Sequence, residues 1–434
     1  MGKVIVGAHP SYGHIVPMRA IAADLVRRGH DVTFVTGSAY RDGVERDGVH
    51  FAPLSGAADV DSRTLHQRHP ELLALPRDEA FDLAMSHVFV ETLAAQHHTM
   101  QNEIAKAGSL PVVVLQETMF MGMWPALLGV PVARRVPVLG IGVLPITMTS
   151  VDTAPFRSGL PPDTSPRGRR RNQELNRVFR DSGLPHTQRG VDEVLRGLGA
   201  AHPPPFILDG VVTLPDQYLQ LSIEEIEYPR SDAPASLHFV GALPIGARRD
   251  HGPPPVWWED VVHSARPVIA VSQGTQANRD FGELIEPTMK ALADLDVLVV
   301  VATGRDAALS DVPDNARTTP FIDFDLLLPH VDLLVHNGGY GGVQQALVHG
   351  VPLVLAGQSE DKTEVTARVA WAGAAINLAT SRPDEAAIRS AVETVLDDPR
   401  YRKRAGELSD EYARHDALAE IAAAVEQSLA ASTS

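Results

Sequence analysis

The chain has 434 residues, of which 44% are hydrophobic, and it contains no cysteine, which excludes disulfides and thiolate chemistry. Its 38 lysine and arginine residues are outnumbered by 54 aspartate and glutamate residues, and the formal net charge of −16 argues against a general nucleic-acid or anionic-membrane surface. The length provides material for two hydrophobic cores, because a single core seldom grows beyond roughly 250 to 300 residues.

The apolar runs and the one basic run bear on the partners of the protein. The apolar run at residues 4–6 is too short for the core of a signal peptide, and no run approaches the ~18 apolar residues of a membrane span. The basic run at residues 167–171 lies in a proline-rich stretch and is expected to be an exposed loop. We therefore expect a cytoplasmic protein without a membrane span or a nucleic-acid partner, either a monomer or a homodimer.

The first half of the chain begins as a βαβ unit. A strand over residues 4–8 is followed by a loop over 9–17, a helix over 18–28 that ends at Gly29, and a second strand over 31–36. Residues 152–205, rich in proline, arginine and glycine, are expected to form excursions from this domain.

The second half repeats the pattern. A strand over residues 267–272 leads through a loop containing Gly274 and Thr275 to a helix near 284–292 and a strand over 297–302. A proline-rich linker between the halves is expected within residues 229–255. At the C-terminus four apolar residues fall at helical spacing and predict one more packed helix. They are Leu418, Ile421, Val425 and Leu429.

A glycine-rich segment follows the apolar run at residues 331–335 and predicts a strand, a tight turn and the start of a helix. Glycines let the backbone approach a ligand closely, and the helix directs unpaired N–H groups and its positive dipole end toward it. A turn that merely closes a βα unit is the alternative. A further strand at 353–356, with the polar segment 358–362 after it, brings a second strand end to the same crevice, which favours a phosphate-binding site. The four glycines are Gly338, Gly339, Gly341 and Gly342.

Four segments resemble the glycosyltransferases of the GT-B fold, specifically the bacterial macrolide and natural-product branch related to plant UDP-sugar transferases. They are GHIVP at residues 13–17, RGHDVT at 28–33, VG at 240–241 and the donor-loop run at 336–362. The resemblance implies an α/β protein with two Rossmann-like domains facing a central cleft. Residues 1–232 would bind the acceptor, residues 233–415 the nucleotide sugar, and residues 416–434 would form a helix that folds back on the first domain.

The resemblance also implies a catalytic pair. His14 occupies the position of the family's catalytic histidine, and an ordinary pKa of about 6.5 suits a general base near neutrality. Two alternatives are open, since His14 can simply cap the first helix and His9 lies on the same predicted loop. The family's carboxylate partner, usually an aspartate after a later strand, is matched best by Glu117.

The remaining site residues implied by the resemblance contact the donor. Backbone N–H groups around the glycine turn would stabilise the departing diphosphate without a metal, and no cofactor besides the nucleotide sugar is implied. Phe321 and Ile322 would lie against the nucleobase, unless they are an ordinary strand end. The expected donor-binding residues are Gly274, Thr275, Phe321, Ile322, Asn337, Gly338, Gly339, Gly341, Gly342, Val343, Gln345, Asp361 and Lys362.

Three of these residues depart from the family pattern. Asn337 stands where a histidine commonly touches the diphosphate, and Gln345 where a glutamate commonly holds the ribose hydroxyls. Lys362 replaces the amide that follows the sugar-contacting acid, Asp361. His336 is expected either to compensate for the missing histidine or to end a buried strand.

No metal site is predicted, because neither the pair His66 and His69 nor the pair His97 and His98 lies in a zinc motif. The leading hypothesis is an inverting glycosyltransferase that moves a hexose from a UDP- or dTDP-sugar to a hydroxyl of a polyketide, macrolide or phenolic acceptor. Two alternatives are a nucleotide-sugar epimerase and a catalytically weak auxiliary protein that binds nucleotide sugar.

Overall fold

The chain folds into two α/β domains, each built around a parallel sheet. A computed structural model describes residues 2–61, 64–244, 253–274, 278, 280–307 and 309–432. Alternate residues of the central strands enter separate cores on the two faces of each sheet, as in Val300 against Val299. Both sheets are therefore covered by helices on both sides, as parallel sheets require.

The first sheet, seven-stranded in the described residues, has the order β3-β2-β1-β4-β5-β6-β7. Its central strands are continuous apolar runs; in β4 the four residues at 112–115 have no exposed surface. The strands are β1 (Lys3–Gly7), β2 (Asp31–Thr36), β3 (His50–Pro53), β4 (Val112–Glu117), β5 (Val138–Gly142), β6 (Gln217–Gln220) and β7 (Leu237–Phe239).

The first sheet extends beyond the predicted domain boundary at residue 232. β7 pairs in parallel with β6, with Leu219 opposite His238, so the sheet continues to Phe239. This strand was hidden in the sequence because it has only three residues and lies in the proline-rich stretch expected to be a linker.

The second sheet, six-stranded in the described residues, has the order β10-β9-β8-β11-β12-β13. In both sheets the first strand of the domain lies between the second and the fourth, which creates a switch point where successive loops diverge. The strands are β8 (Val268–Ser272), β9 (Leu298–Ala302), β10 (Ala316–Thr319), β11 (Leu333–His336), β12 (Leu353–Leu355) and β13 (Ala375–Asn377).

Helices connect the strands and cover the sheets. Among the described residues, none of them combines the length and the apolar character needed to cross a bilayer. The α-helices are α1 (Tyr12–Arg27), α2 (Arg41–Arg46), α3 (Leu65–Arg68), α4 (Arg77–Met85), α5 (Leu93–Lys106), α6 (Trp124–Leu127), α7 (Pro166–Ser182), α8 (Pro185–Gly197), α9 (Ile207–Thr213), α10 (Trp258–Val262), α11 (Ile285–Leu292), α12 (Phe324–Leu327), α13 (Tyr340–Val348), α14 (Lys362–Trp371), α15 (Glu385–Asp397), α16 (Pro399–Tyr412) and α17 (Ala417–Ala431).

Helix α1 begins six residues earlier than the sequence suggests. The N–H groups of His14 and Ile15 both donate to the Ser11 carbonyl, at 3.0 and 2.9 Å, and start the helix there. Pro17, the last residue of the predicted loop, lies inside the helix, although it lacks an N–H to donate to the preceding turn. His14 consequently occupies the first helical turn rather than the predicted loop.

The basic run at residues 167–171 is helical rather than a loop. Ser165 caps α7 by accepting a hydrogen bond from the Gly168 N–H at 3.0 Å, and Pro166 occupies the first turn, where its missing N–H costs nothing. The arginines of this run are exposed, as expected.

The last helix, α17, packs on the first domain. Its stripe of Leu418, Ile421, Val425 and Leu429 belongs to the same apolar core as strands β1 and β4. The chain therefore crosses back from the second domain and ends against the first.

A buried ion cluster joins the two domains. Arg368 of α14 donates from Nε to the Glu227 carboxylate at 2.9 Å and from Nη2 to the Ile146 carbonyl at 3.1 Å, both in the first domain. Its Nη1 also binds Glu364, one turn earlier on α14. All three charged side chains are at most 4% exposed, so the cluster fixes α14 against the first domain.

We expect Arg368→Met to lower the unfolding free energy by about 3–5 kcal/mol, because it removes the buried partner of Glu364 and leaves Glu227 with the more distant Arg230, at 3.8 Å. Urea unfolding followed by circular dichroism measures the change. Arg177→Met, which removes only exposed ion pairs with Glu174 and Asp181, is the matched control and should unfold like the wild type. Equal midpoints for the two variants would contradict a stabilising role for the cluster.

Candidate active site

The centre of the candidate site is a hydrogen bond between His14 and Glu117. His14 Nδ1 lies 2.7 Å from Glu117 Oε2. His14 is in the first turn of α1, which follows β1, and Glu117 is the last residue of the neighbouring strand β4. The pair therefore sits at the switch point of the first sheet, where open α/β sheets bind ligands.

Both carboxylate oxygens of Glu117 accept hydrogen bonds. Oε1 accepts the backbone N–H of His9 at 3.0 Å, and Oε2 accepts that of Met119 at 2.9 Å in addition to His14. Burial alone would raise the pKa of this carboxyl. The positive charge and hydrogen bond of His14, together with the Met119 N–H, outweigh burial and lower the pKa, so Glu117 is held as a carboxylate.

The same contact tunes His14. Burial opposes its protonation, but the charge and hydrogen bond of Glu117, followed by the charges of Asp361 and Glu360, raise the pKa above its ordinary 6.5. Because Nδ1 is held by the carboxylate, Nε2 is the ring nitrogen left to exchange a proton with a ligand.

His9 is not equivalent to His14. Its ring is fully buried, and its Nε2 lies 3.1 Å from the Val88 carbonyl. Burial, with the nearby charge of His14, lowers the pKa of His9 to about 3. His9 is therefore neutral at physiological pH and donates to Val88, so the geometry favours His14 as the exchanging base.

An aromatic side chain that the sequence did not single out lies beside the pair. The ring centroid of Phe89 is 4.8 Å from that of His9 and 6.3 Å from that of His14. Phe89 belongs to a π-helical turn over residues Ser86–Val90, and no local sequence pattern connects it to residues 9 and 14. It forms an apolar surface next to His14.

The glycine segment forms the expected strand, turn and helix in the second domain. Gly338 has φ +82°, and a Cβ there would lie 2.5 Å from Thr366 Cγ2, so glycine is required. Gly339 caps α13, whose first N–H groups, those of Tyr340, Gly341 and Gly342, precede the first helical hydrogen bond. These three groups and the helix dipole suit an anion.

Val343 differs from the expectation. Its N–H donates to the Gly339 carbonyl at 3.1 Å, and its side chain is 1% exposed within the core. Val343 therefore makes the first backbone hydrogen bond of α13, and its N–H is not free to bind a ligand.

Asn337 and His336 support the glycine turn from within. Asn337 donates to the Gln273 carbonyl, and its Oδ1 accepts the Gly339 N–H at 3.3 Å. His336 Nδ1 accepts the Gly338 N–H at 3.1 Å, and burial lowers the pKa of this histidine to about 4, helped by the charge of Lys362. His336 thus ends a buried strand, the second of the two expectations.

The loop after β8 faces this turn across the second switch point. Gly274 has φ +72° and lies beside Asn337, with 3.6 Å between a built Cβ and Asn337 Oδ1. Thr275, the other donor residue predicted in this loop, lies outside the described residues. Side chains from the loops after β8, β11 and β12 line one pocket; they include Gln273, Asn337, Ser359 and Lys362.

Asp361 connects the two halves of the site. Burial raises its pKa to about 6, and its charge interacts with His14 of the first domain. Lys362 beside it is 5% exposed and binds Ser359 Oγ at 3.1 Å and the carboxylate of Glu360. Asp361 therefore lies near enough to His14 for their charges to interact, while the Lys362 ammonium is engaged within its own loop.

The two residues predicted to contact the nucleobase differ in exposure. Phe321 follows β10 and is 58% exposed, so its ring is available for stacking. Ile322 is 8% exposed and belongs to the core beneath the sheet, so its side chain does not reach the cleft. The alternating pattern thus has one outward and one inward member.

Asp325 is an acid at the donor side that the sequence did not single out. Gln345 Nε2 donates to Asp325 Oδ1 at 3.4 Å, and His349 Nε2 lies 3.3 Å from the same oxygen. An acid on α12 thus lies beside Gln345, where the resemblance leads us to expect a glutamate. Asp325 lies two residues after Asp323, which caps α12, and acidic residues are common in the first turn of a helix for structural reasons alone.

Comparisons with known proteins show which family the chain resembles. Residues 286–428 match the family model described as erythromycin biosynthesis protein CIII-like, C-terminal domain. The chain is 43% identical over 437 residues to UDP-glycosyltransferase 2 of Phaeomoniella chlamydospora, covering 99% of this chain and 96% of the relative. It is 39% identical over 427 residues to 4'-demethylrebeccamycin synthase of Lentzea aerocolonigenes, covering 98% and 99%.

Solved structures confirm the GT-B fold implied by the resemblance. The kitacinnamycin glycosyltransferase superposes with a TM-score of 0.72 at 20% identity, covering 98% of each chain. A spinosyn rhamnosyltransferase complexed with thymidine diphosphate superposes with a TM-score of 0.66 at 19% identity, covering 98% of this chain and all of the other.

Histidine-selective NMR across the neutral pH range tests the electrostatics of the pair. We expect the pKa of His14 to lie above 6.5 in the wild type and to fall in Glu117→Gln. The substitution removes the negative charge that favours the imidazolium, whereas the burial that disfavours it remains. His9 should remain neutral throughout. The spectrum of His14→Ala identifies the resonance, and a His14 pKa that Glu117→Gln leaves unchanged would contradict the coupling.

Proposed function

Because the chain belongs to the UDP-glycosyltransferase family and is a glycosyltransferase, we propose that it transfers a hexose from a UDP- or dTDP-sugar to a hydroxyl of a small natural-product acceptor, with inversion. The observation that carries this proposal is the His14–Glu117 pair of one domain facing Asp361 and the free N-terminus of α13 in the other. A base and an anion site thus flank one cleft.

The proposed reaction is a single displacement. His14 Nε2 takes the proton of the acceptor hydroxyl as the acceptor oxygen forms its bond to the anomeric carbon. The bond from that carbon to the diphosphate oxygen breaks, and the electron pair leaves with the nucleoside diphosphate. Attack from the face opposite the leaving group inverts the anomeric centre. Only neutral His14 accepts a proton, so turnover should rise with pH through its raised pKa.

Glu117 acts through His14 in this proposal. Its carboxylate accepts the Nδ1 proton, which selects the tautomer with a lone pair on Nε2 and stabilises the imidazolium formed during transfer. The backbone donors from His9 and Met119 hold the carboxylate in place, so a glutamate here can do what an aspartate does in related proteins.

The departing diphosphate would be held by the N–H groups of Tyr340, Gly341 and Gly342 and by the helix dipole, which stabilise negative charge where it develops. Asp361 is placed to accept hydrogen bonds from sugar hydroxyls, as the family resemblance implies. Lys362 is bound by Glu360 and Ser359, so we assign it to shaping this loop rather than to the sugar.

The donor nucleoside would lie toward α12. The exposed ring of Phe321 offers a stacking surface, and Asp325 with Gln345 supplies an acceptor and an amide for the ribose hydroxyls. Phe89 next to the base favours an apolar or aromatic acceptor.

The relatives that match nearly the whole chain carry glycosyltransferase or synthase names, which favours transfer over the epimerase alternative. The intact histidine–carboxylate pair argues against the auxiliary-protein alternative.

We expect His14→Ala to lower kcat by about 10² to 10⁴, the usual contribution of general base catalysis, while the dissociation constant for UDP stays near the wild-type value. Steady-state assays and calorimetry provide the two readouts. His50→Ala, which alters an exposed histidine of the same domain, is the matched control. Unchanged turnover in His14→Ala would remove the residue from the role of base.

We expect Asp325→Asn to weaken binding of UDP by about 10-fold to 100-fold, the contribution of a charge-assisted hydrogen bond to a ribose hydroxyl. Binding of 2'-deoxy-UDP should weaken less, so the affinity difference between the two ligands narrows. Calorimetric titration of both ligands into both proteins measures this difference. An equal loss for the two nucleotides would show that Asp325 does not contact the 2'-hydroxyl.

A further inference from the structure

A second cluster of ligand-type side chains lies in the first domain, apart from the reacting groups. His69 Nδ1 lies 3.2 Å and His87 Nε2 4.0 Å from the same oxygen, Oε1 of Glu71. The three ligand atoms lie within 4.8 Å of one another, and the two imidazole rings stack with 3.9 Å between centroids. The cluster joins the segment between α3 and α4 to the π-helical turn at Ser86–Val90.

The tautomer of His87 directs a lone pair into this cluster. Its Nδ1 lies 2.7 Å from Glu91 Oε1, and a carboxylate at that distance accepts the Nδ1 proton. In the neutral ring Nε2 is then an acceptor, and it faces the carboxylate of Glu71. His87 Nε2 and the Glu71 carboxylate are then two acceptors that face each other, and a cation between them would bind both.

The donor set and spacing fit a transition-metal ion. Two imidazoles and one carboxylate are zinc ligands, and three protein ligands leave a fourth position for water. Ligand atoms at about 2.0–2.2 Å from one tetrahedral zinc ion lie roughly 3.4 Å apart. Binding would therefore draw together the three atoms, which lie within 4.8 Å of one another, and tilt the two stacked rings toward the ion. Glu91 supplies the carboxylate behind the histidine that orients metal-binding imidazoles.

We propose that His69, Glu71 and His87 bind a zinc ion that links the segment before α4 to the π-helical turn. No local zinc motif marks this site in the sequence, because the three residues come from two separate turns of the chain. The side chains are partly exposed, His69 by 20% and His87 by 22%, so the ion can enter from solvent.

The linked turn reaches the base. Val88 accepts the hydrogen bond from His9 Nε2 at 3.1 Å, and Phe89 contacts His9 and lies beside His14. An ion at this position therefore orders the apolar wall of the cleft without touching the reacting atoms. Metal binding does not depend on the proposed transfer reaction, so the two can fail separately.

The test is calorimetric titration of Zn²⁺ into the full-length protein after removal of bound metal with a chelator. We expect one equivalent per chain, with affinity at least 10-fold weaker in His69→Ala and in His87→Ala, and about 10-fold weaker in Glu91→Gln. His98→Ala is the matched control, because His98 is exposed and its Nδ1 contacts only the Ala94 carbonyl of its own helix. Circular dichroism melts establish that each variant is folded.

Titration with Co²⁺ adds a readout of geometry, since visible bands of tetrahedral intensity are expected in the wild type and should disappear in His87→Ala. Two results would overturn the proposal. One is the absence of saturable binding by the wild-type protein. The other is binding of several equivalents that all the histidine variants retain, which would indicate scattered surface histidines instead of a site.

Discussion

The hydrogen bond between His14 and Glu117 is the contact on which the rest of the active site depends. A carboxylate at the end of a buried strand is costly unless each oxygen has donors, and Glu117 obtains them from His14 and from the backbone of His9 and Met119. The hydrogen bonds to this carboxylate fix the path of the chain after β1, the start of α1 and the tautomer of His14. One electrostatic requirement thus determines both local structure and chemistry.

In the proposed mechanism the two domains contribute different halves of the reaction, so their relative position matters. The Arg368 cluster fixes α14 to the first domain, and Asp361 immediately precedes the same helix. A second clamp acts on α13, where Gln344 donates to the Leu221 carbonyl at 2.8 Å and Tyr340 contacts Gln220. Both α13 and α14 are therefore anchored to the domain that contains His14.

Much of the fold was predictable because buried parallel strands are continuous apolar runs and because glycine is required where φ is positive, as at Gly338. The pairing of His14 with Glu117 was implied by the family resemblance, which places a carboxylate after a later strand. What could not be predicted depends on contacts distant in sequence. β7 is defined only by pairing with β6, Asp325 by its approach to Gln345, and Phe89 by a π-helical turn that places it at the base. The inward orientation of Ile322 likewise depends on packing in the core. The helical start before Pro17 is local instead, since it is set by hydrogen bonds to the Ser11 carbonyl.

The most direct test of the central claim is a double-mutant cycle on kcat with His14→Ala, Glu117→Gln and the double variant, using a UDP-hexose and a phenolic acceptor. If Glu117 acts only by holding and charging His14, its substitution should have no further effect once the imidazole is gone, so the double variant should be no slower than His14→Ala. Losses that multiply instead would mean that the two residues contribute independently, and would contradict the account.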